Sequence, residues 1–257
     1  MKRLFYVFLM CGVLVNGVVF AEDEISDPFE SFNRAVFEFN DTLDVYVAEP
    51  IARGYGDVMP EFVKKGVNNF FKNLSYPKYL LSDLIQLKFT QALKHTGRFI
   101  VNSTVGVAGF IEVASEIGLE HHYEDIGVAF AYQGIPAGPY IMLPFLGPTT
   151  VRDGIGKCVE FFISPWYWID DWSDLSWEWD WTISSSATAL DLIDTRYGLL
   201  EAMKAAKESS VDYYLFTQSA YYQYRNGLVK DKYESKQDSA EIEDDWLLEE
   251  DEEEIEE

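Results

Sequence analysis

Residues 27–49 read DPFESFNRAVFEFNDTLDVYVAE, and this stretch decides the fold class. Asp27 is predicted to cap a helix, Pro28 suits its first position, and Glu30 completes a capping box. We expect the helix to end before Pro50. Its apolar side chains recur every three or four residues, as on one helix face; they are Phe29, Phe32, Val36, Phe39, Leu43 and Val47.

The same helical spacing recurs on both sides of the middle of the chain. It predicts a helix after Pro60, a longer one from Pro77 to Ile100, and two near the C-terminus, over 187–208 and 211–226. Gly227 is the expected C-cap of the last helix. No sustained alternation of period two indicates a sheet. The sequence therefore predicts an all-α protein.

The middle of the chain has a different character. Residues 126–151 carry no charge, yet they contain glycines at 127, 134, 138 and 147 and prolines at 136, 139, 144 and 148. A continuous spanning helix does not tolerate so many helix breakers. The segment is either a re-entrant element that lines a cavity at membrane depth or a buried, turn-rich core loop of a soluble protein.

A tryptophan cluster follows the uncharged segment and alternates with acidic residues. Tryptophan favours a membrane interface, because its ring is apolar and its N–H needs a polar partner. The alternatives are a tryptophan-rich core and, for the last three, one face of a short strand or hairpin. The predicted interface residues are Trp166, Trp168, Trp172, Trp177, Trp179 and Trp181.

The two ends of the chain are predicted to lie outside the folded domain. Residues 1–21 have a basic start, an apolar run and small residues at the end, which predicts a cleaved signal peptide rather than a retained membrane helix. The residues before Cys11 do not match the leucine and small residues that precede the lipid-modified cysteine of a lipoprotein signal. Residues 231–257 are an acidic tail, with 13 acids and no base from Asp238 to Glu257, and we expect this tail to be disordered and dispensable.

The net charge of −24 argues against a nucleic-acid-binding protein, and no hydrolase, nucleotide-binding or metalloprotease motif is present. The adjacent His121 and His122 make a poor metal pair, because they point in different directions. His95 is expected to be structural and Cys158 to be a small buried side chain. We expect neither an enzyme nor a cofactor.

Several motifs, in order, resemble the MlaA (VacJ) family over about residues 26–230. They are DPFESFNR at 27–34, VF at 36–37, FN at 39–40, NNFFKNL at 68–74, GRF at 97–99, NSTVG at 102–106, GFIEVA at 109–114, GIPAGPY at 134–140, LP at 143–144, GP at 147–148 and RD at 152–153. The resemblance divides the chain into a signal peptide (1–21), an MlaA-like lipid-transport domain (22–230) and the tail (231–257).

The resemblance implies a ring-like, all-helical protein embedded in one leaflet of a Gram-negative outer membrane, on its periplasmic side. It implies that mislocalised phospholipids leave the outer leaflet through an amphipathic channel and pass to the periplasmic carrier MlaC. It also implies a trimeric porin as partner. The uncharged segment would form the channel wall and a neighbouring hairpin. Members of the family are commonly lipoproteins. The sequence before Cys11 does not support lipidation of this chain at that cysteine.

The resemblance and the uncharged segment together give a set of channel or gate residues. Gly134 and Gly138 would supply conformational freedom, Tyr140 would lie at the wall, and Arg152 and Asp153 at a polar mouth. From the first helix, Phe37, Phe39 and Asn40 are expected to pack near this gate.

Two other functions fit the same sequence features. The first is a structural porin-associated protein without transport of its own. The second is a phospholipase, but no recognisable nucleophile accompanies the three histidines.

Overall fold

The computed structural model describes residues 27–168 and 177–230, with side chains except those of 177–181. The predicted signal peptide, Trp172 and the acidic tail lie outside these residues. The elements are α1 Glu30–Leu43, α2 Glu49–Val58, α3 Glu61–Leu74, α4 Tyr76–Ile85, α5 Phe89–Thr104, α6 Ile126–Tyr132, β1 Tyr140–Leu143, β2 Gly147–Thr150, α7 Val151–Ile163, α8 Trp177–Gly198, α9 Leu200–Ser209 and α10, residues 213–230. The prediction of an all-α fold is confirmed.

The first helix departs from its prediction at both ends. Asp27 is not the N-cap of α1; its carboxylate accepts hydrogen bonds from the side chains of Asn33, Gln218 and Tyr214 instead. The helix does not end before Pro50. A π-helical turn, Asp44–Ala48, joins α1 to α2 and shifts the bonding register, so that the proline enters near the start of α2 without needing an N–H.

Three other predicted helix boundaries were also wrong. The helix from Pro77 to Ile100 is two helices, α4 and α5, separated by a turn in which Leu87 has a φ of 59°. The helix over 187–208 is interrupted at Leu199 and becomes α8 and α9. Gly227 is not a C-cap, because α10 continues to residue 230.

The uncharged segment folds into one helix and the one sheet of the described residues. Helix α6 is almost entirely buried, and Asp125 caps it by accepting a hydrogen bond from the N–H of Val128 at 2.7 Å. After a proline- and glycine-rich turn, β1 and β2 form an antiparallel hairpin, with Tyr140 opposite Thr150 and Leu143 opposite Gly147. Thr150 then caps α7 directly.

Two apolar clusters hold the segment in place. In the first, the hairpin packs against α1 and α10, through Tyr140, Met142, Tyr214 and Tyr222. In the second, α6 packs between α4 and α7, through Ile126, Phe130 and Val159. Helices α6 and α7 approach closely, since a Cβ on Gly156 would lie 2.6 Å from the backbone N of Gly127.

Candidate functional site: a hairpin and an amphipathic cavity

Two asparagines of α1 bind the backbone of the hairpin. The amide of Asn33, fully buried, donates to the carbonyl of Tyr140 at 3.1 Å and accepts from the N–H of Met142 at 2.8 Å. Seven residues later, Asn40 donates to the carbonyl of Leu143 and accepts from the N–H of Phe145, both at 2.9 Å. A spacing of seven residues places both amides on one side of α1, so α1 fixes the position of the hairpin.

Aromatic contacts reinforce this attachment. The ring of Phe39 meets that of Phe145, in the hairpin turn, edge to face at 5.4 Å. The ring of Phe37 lies 5.4 Å from Tyr213 and 5.5 Å from Tyr214 of α10. The structure thus brings the three predicted residues of the first helix, Phe37, Phe39 and Asn40, to the hairpin and to the helix behind it.

Tyr140 belongs to the core beneath the hairpin rather than to an open wall. Its side chain has no exposed surface, and its ring lies about 6 Å from those of Tyr214, Tyr221 and Tyr222. Its hydroxyl has no hydrogen-bond partner among the described residues. Burial raises the pKa of this phenol above its usual value, so Tyr140 stays neutral.

Gly134 and Gly138 bracket the turn between α6 and β1. Their φ angles are 85° and 70°, in the left-handed region that favours glycine. A Cβ added at Gly138 would also lie 3.3 Å from the Cβ of Val151, the first residue of α7. The two glycines therefore set the path by which the chain enters the hairpin.

Arg152 and Asp153 lie inside the protein, not at a solvent-filled mouth. Asp153 is buried and accepts from Arg152 at 2.8 Å and from Tyr221, while Nε of Arg225 lies 2.9 Å from it. Arg225 also forms a two-point ion pair with Asp125. Burial by itself would raise the pKa of Asp153, but the charges of Arg225 and Arg152 outweigh it and hold that pKa below its usual value.

A cavity of about 950 Å³ opens on the far part of α7, between α3, α4 and α8. This volume is near the upper end for small-molecule pockets. Its apolar lining comprises Phe71, Leu74, Pro77, Phe161, Ile163, Pro165, Trp166, Tyr167, Ala189 and Leu192. Its polar lining comprises Ser75, Lys78, Lys157, Glu160, Ser164, Ser184, Ser185, Thr188 and Asp191. None of the predicted gate residues lines it.

The ionisable groups of the cavity are partly removed from water. Burial raises the pKa of Glu160 and of Asp191, and the nearby charge of Lys78 partly offsets both shifts. Burial, with the nearby charge of Arg225, lowers the pKa of Lys157. Lys157 lines the cavity but is also exposed.

Trp166 and Trp168 lie in a 3-10 turn, Pro165–Trp168, beside the cavity. Trp166 lines the cavity, and the indole N–H of Trp168 donates to the carbonyl of Phe162 at 2.8 Å. The backbone of Trp177, Trp179 and Trp181 begins α8, so the alternative of a strand or hairpin there was wrong. The structure does not describe the side chains of these three residues. The interface role of all six tryptophans stays a prediction.

The histidines lie away from the cavity. His95 is buried, with Nδ1 2.6 Å from Asp83 and Nε2 3.2 Å from the carbonyl of His122. Burial and nearby cations lower the pKa of His121 to about 4. Within residues 27–168 and 182–230, no three His, Cys, Asp or Glu side chains are grouped as a metal site would need. Cys158 is exposed, and the expectation of a buried thiol was wrong.

The first helix exposes large apolar side chains. Phe32 is 58% exposed and Phe39 48%, whereas the one buried side chain of α1 is the polar Asn33. Exposed apolar patches of this kind are typical of surfaces that contact a membrane or another protein. In the part of the chain that the structure describes, no helix is both long and apolar enough to cross a bilayer.

Sequence reasoning missed the residues that make the cavity amphipathic: Lys78, Lys157, Glu160 and Asp191. The spacing of Lys157 and Glu160, three residues apart beside apolar Phe161, indicates that they share one helix face. Their meeting with Lys78 and Asp191, which come from α4 and α8, depends on helix packing that no local pattern encodes.

Comparison with known proteins gives one consistent family. Residues 25–228 match the family model described as MlaA lipoprotein. A protein of Rickettsia prowazekii without an assigned function is 32% identical over 209 residues, covering 80% of this chain and 79% of that one. The Escherichia coli K12 protein named intermembrane phospholipid transport system lipoprotein MlaA is 32% identical over 202 residues, 77% of this chain and 76% of its own. A solved structure on the structural basis for maintenance of bacterial outer membrane lipid asymmetry superposes with a TM-score of 0.67, at 28% identity, over 79% of this chain and 99% of that one.

Proposed function

This chain belongs to the MlaA lipoprotein family, and we propose that it removes mislocalised phospholipids from the outer leaflet of a Gram-negative outer membrane. In this proposal it is embedded in one leaflet and passes the lipids to the periplasmic side, to a soluble carrier of the MlaC type, beside a trimeric porin. The name of the Escherichia coli relative and the subject of the related solved structure support phospholipids as the cargo.

The amphipathic cavity is the observation that carries the proposal. A phospholipid that crosses a leaflet must move its charged headgroup past hydrocarbon, which costs several kcal/mol per unsolvated charge. Charged and hydroxyl side chains on one part of the lining lower that cost, while Phe161, Trp166 and Leu192 offer an apolar surface to the acyl chains. Because no chemical step is needed, the direction of transport would come from a carrier that binds the released lipid tightly.

The hairpin is the proposed gate of this path. It is continuous with α7, since Thr150 ends β2 and caps α7, and α7 carries Lys157, Glu160 and Phe161 to the cavity. A displacement of the hairpin would therefore move the cavity wall. In this arrangement Phe39 and Asn40 hold the hairpin from one side, Gly134 and Gly138 permit its entry turn, and Arg152 and Asp153 connect its base to α10.

The apolar outer surface supports the proposed membrane location. The exposed rings of Phe32 and Phe39 on α1 would contact lipid, and the polar Asn33 lies inside. Such an arrangement reverses the pattern of a water-exposed helix. A protein without a spanning helix in its described part could still be held by this surface in one leaflet.

An obstruction of the cavity tests the proposal. Ala189 is exposed on α8 and lines the cavity. Ala189→Trp should fill part of the path without disturbing the core, and cells that carry it in place of the native protein should accumulate outer-leaflet phospholipid, as a deletion strain would. Surface phospholipid is measured by labelling intact cells with an impermeant amine reagent and analysing the extracted lipids.

Thr195→Trp is the matched control, because Thr195 is also exposed on α8 but does not line the cavity. It should leave surface phospholipid at the native level. If Ala189→Trp is folded, present in the outer membrane and equal to the native protein, the cavity is not the lipid path. If the deletion strain also keeps a normal outer leaflet, a structural porin-associated protein becomes the better explanation.

A further inference from the structure

Four charged side chains with no net charge line the cavity. Lys78 lies in the first turn of α4, Lys157 and Glu160 lie one turn apart on α7, and Asp191 lies on α8. Burial raises the pKa of Glu160 and of Asp191, and Lys78 is close enough to both that its charge partly offsets the rise. The cavity therefore offers positive and negative groups within one space.

These groups lack the ion pairs that buried charges elsewhere in the molecule form. Neither lysine ammonium forms an ion pair with a carboxylate of the described residues: Lys78 lies 5.1 Å from the ring of Tyr79, and Lys157 donates to the carbonyl of Pro148 at 3.4 Å. The carboxylate of Glu160 accepts from the N–H of Ile126 at 2.9 Å, and the carboxylate of Asp191 has no hydrogen bond to the described residues.

The contrast with Arg225 shows what is missing in the cavity. Arg225, which is buried where the four cavity groups are half-buried or exposed, contacts two carboxylates, those of Asp125 and Asp153. A charge taken out of water is unfavourable unless a partner of opposite sign compensates it. Bound ligand groups can be such partners, and a ligand that carries both signs can pair with the two cations and the two carboxylates at the same time.

We propose that the cavity selects phospholipids with a zwitterionic, primary-amine headgroup, phosphatidylethanolamine, over anionic ones. Lys78 and Lys157 bind the phosphate, and Asp191 and Glu160 accept hydrogen bonds from the ammonium. The inference rests on the proposed function, in which the cavity holds phospholipid, and adds the headgroup preference. An anionic headgroup such as phosphatidylglycerol leaves both carboxylates without a cation.

Phosphatidylcholine satisfies the charges less well than phosphatidylethanolamine does. Its quaternary ammonium has no N–H to donate, so neither Asp191 nor Glu160 gains a hydrogen bond from it. The hydroxyls of Ser75, Ser164 and Thr188, also in the lining, are available to the phosphate and glycerol oxygens. The apolar lining then receives the first part of the acyl chains.

The test is the composition of the lipid that remains bound to the full chain purified in mild detergent from an exporting Gram-negative host. Bound lipid is extracted and quantified by mass spectrometry against the lipids of the source membrane. We expect the ratio of phosphatidylethanolamine to phosphatidylglycerol to be about fivefold higher than in the membrane, the order expected from one partly solvated ion pair.

Two variants assign the headgroup contacts. Asp191→Asn should lower the enrichment towards the ratio of the membrane while total bound lipid changes little. Lys78→Gln together with Lys157→Gln should lower total bound lipid of both classes about tenfold or less, because both lipids contain the phosphate. Asp57→Asn and Lys65→Gln are the controls, since Asp57 and Lys65 are exposed and do not line the cavity.

Each result has one interpretation. Folded native protein that binds phospholipid in the ratio of the membrane would overturn the headgroup preference and leave the proposed transport intact. An unchanged enrichment in folded Asp191→Asn would overturn the assigned contact. Folded native protein without bound lipid, or with soluble phosphoethanolamine in its place, would overturn the inference and the proposed function together.

Discussion

The hairpin and the cavity are joined by α7 but satisfy their polar groups in opposite ways. At the hairpin, Asn33 and Asn40 bind four backbone groups, and Arg225 compensates two buried carboxylates. In the cavity, the side chains of Lys78 and Asp191 form neither ion pairs nor hydrogen bonds with the described residues. The first region is built to hold one position, and the second keeps charges that are available to a ligand.

The largest expected effect comes from breaking the network behind the hairpin. Arg225→Met should lower the free energy of unfolding by about 3–5 kcal/mol, because it leaves the buried carboxylates of Asp125 and Asp153 without their shared cation. Thermal unfolding in detergent, followed by tryptophan fluorescence, measures the change.

The control for this variant is Arg53→Met. Arg53 pairs with Glu49 across one turn of helix, and its side chain is 47% exposed, so the loss should be about 0.5 kcal/mol or less. Equal unfolding temperatures for the two variants would mean that the network around Arg225 does not stabilise the hairpin region.

A smaller effect is expected where α1 meets the hairpin. Asn33→Ala removes the partners of the buried Tyr140 carbonyl and Met142 N–H and should destabilise the protein by about 2–4 kcal/mol. Asn40→Ala removes the same kind of bonds from a partly exposed turn and should cost about 1 kcal/mol.

The two asparagine variants also separate stability from gating. If the hairpin gates the cavity, Asn40→Ala should change outer-leaflet phospholipid while the protein stays folded and abundant. A folded Asn40→Ala protein with native leaflet composition, assayed by the same amine labelling, would contradict the gate.

The smallest change in the free energy of unfolding is expected in the cavity, and there the substitution should stabilise the protein. Burial raises the pKa of Glu160, so the folded protein binds this proton more strongly than the unfolded chain does. Ionised Glu160 is thus unfavourable above the raised pKa, and the penalty disappears as pH falls through it. Glu160→Gln should stabilise the protein by up to about 1 kcal/mol at neutral pH and by less in acid, because glutamine keeps an acceptor for Ile126.

Asp153→Asn is the counterpart, because the pKa of Asp153 is held below its usual value. The ionised Asp153 contributes stability above the unfolded pKa of about 3.8 that is lost as pH falls through the folded pKa. Its replacement should therefore destabilise the protein at neutral pH. Unfolding temperatures of both variants and of the native protein between pH 2.5 and pH 8 check the two signs. Equal shifts of the two variants relative to the native protein at every pH would contradict the contrast.

The sequence predicted the class of the fold and the neighbourhood of the hairpin. Helical spacing found α1 and α3, and the density of glycine and proline in 126–151 predicted that no continuous helix forms there. The resemblance to the MlaA family, carried by motifs such as GIPAGPY at 134–140, is confirmed. It also placed Phe39 and Asn40 near the hairpin.

What the sequence did not predict depends on tertiary contacts. Periodicity could not show that Phe32 and Phe39 of the apolar stripe are exposed while Asn33 is buried, since the same spacing fits a face buried in protein or in lipid. Nor could it show that Asp153 is buried, because its partner Arg225 lies about seventy residues further along the chain. Tyr140 was expected at a wall, but three tyrosines of α10 enclose it.

The asparagines of α1 also affect whether the hairpin can pair with a strand of another copy of the protein. A two-stranded ribbon leaves backbone groups on its outer edges, and such edges are templates on which a strand of another molecule can add. On β1 the side chain of Asn33 occupies the positions that an incoming strand would need, and on β2 Pro148 has no N–H to offer. The residues that position the hairpin thereby also protect it from strand exchange and aggregation.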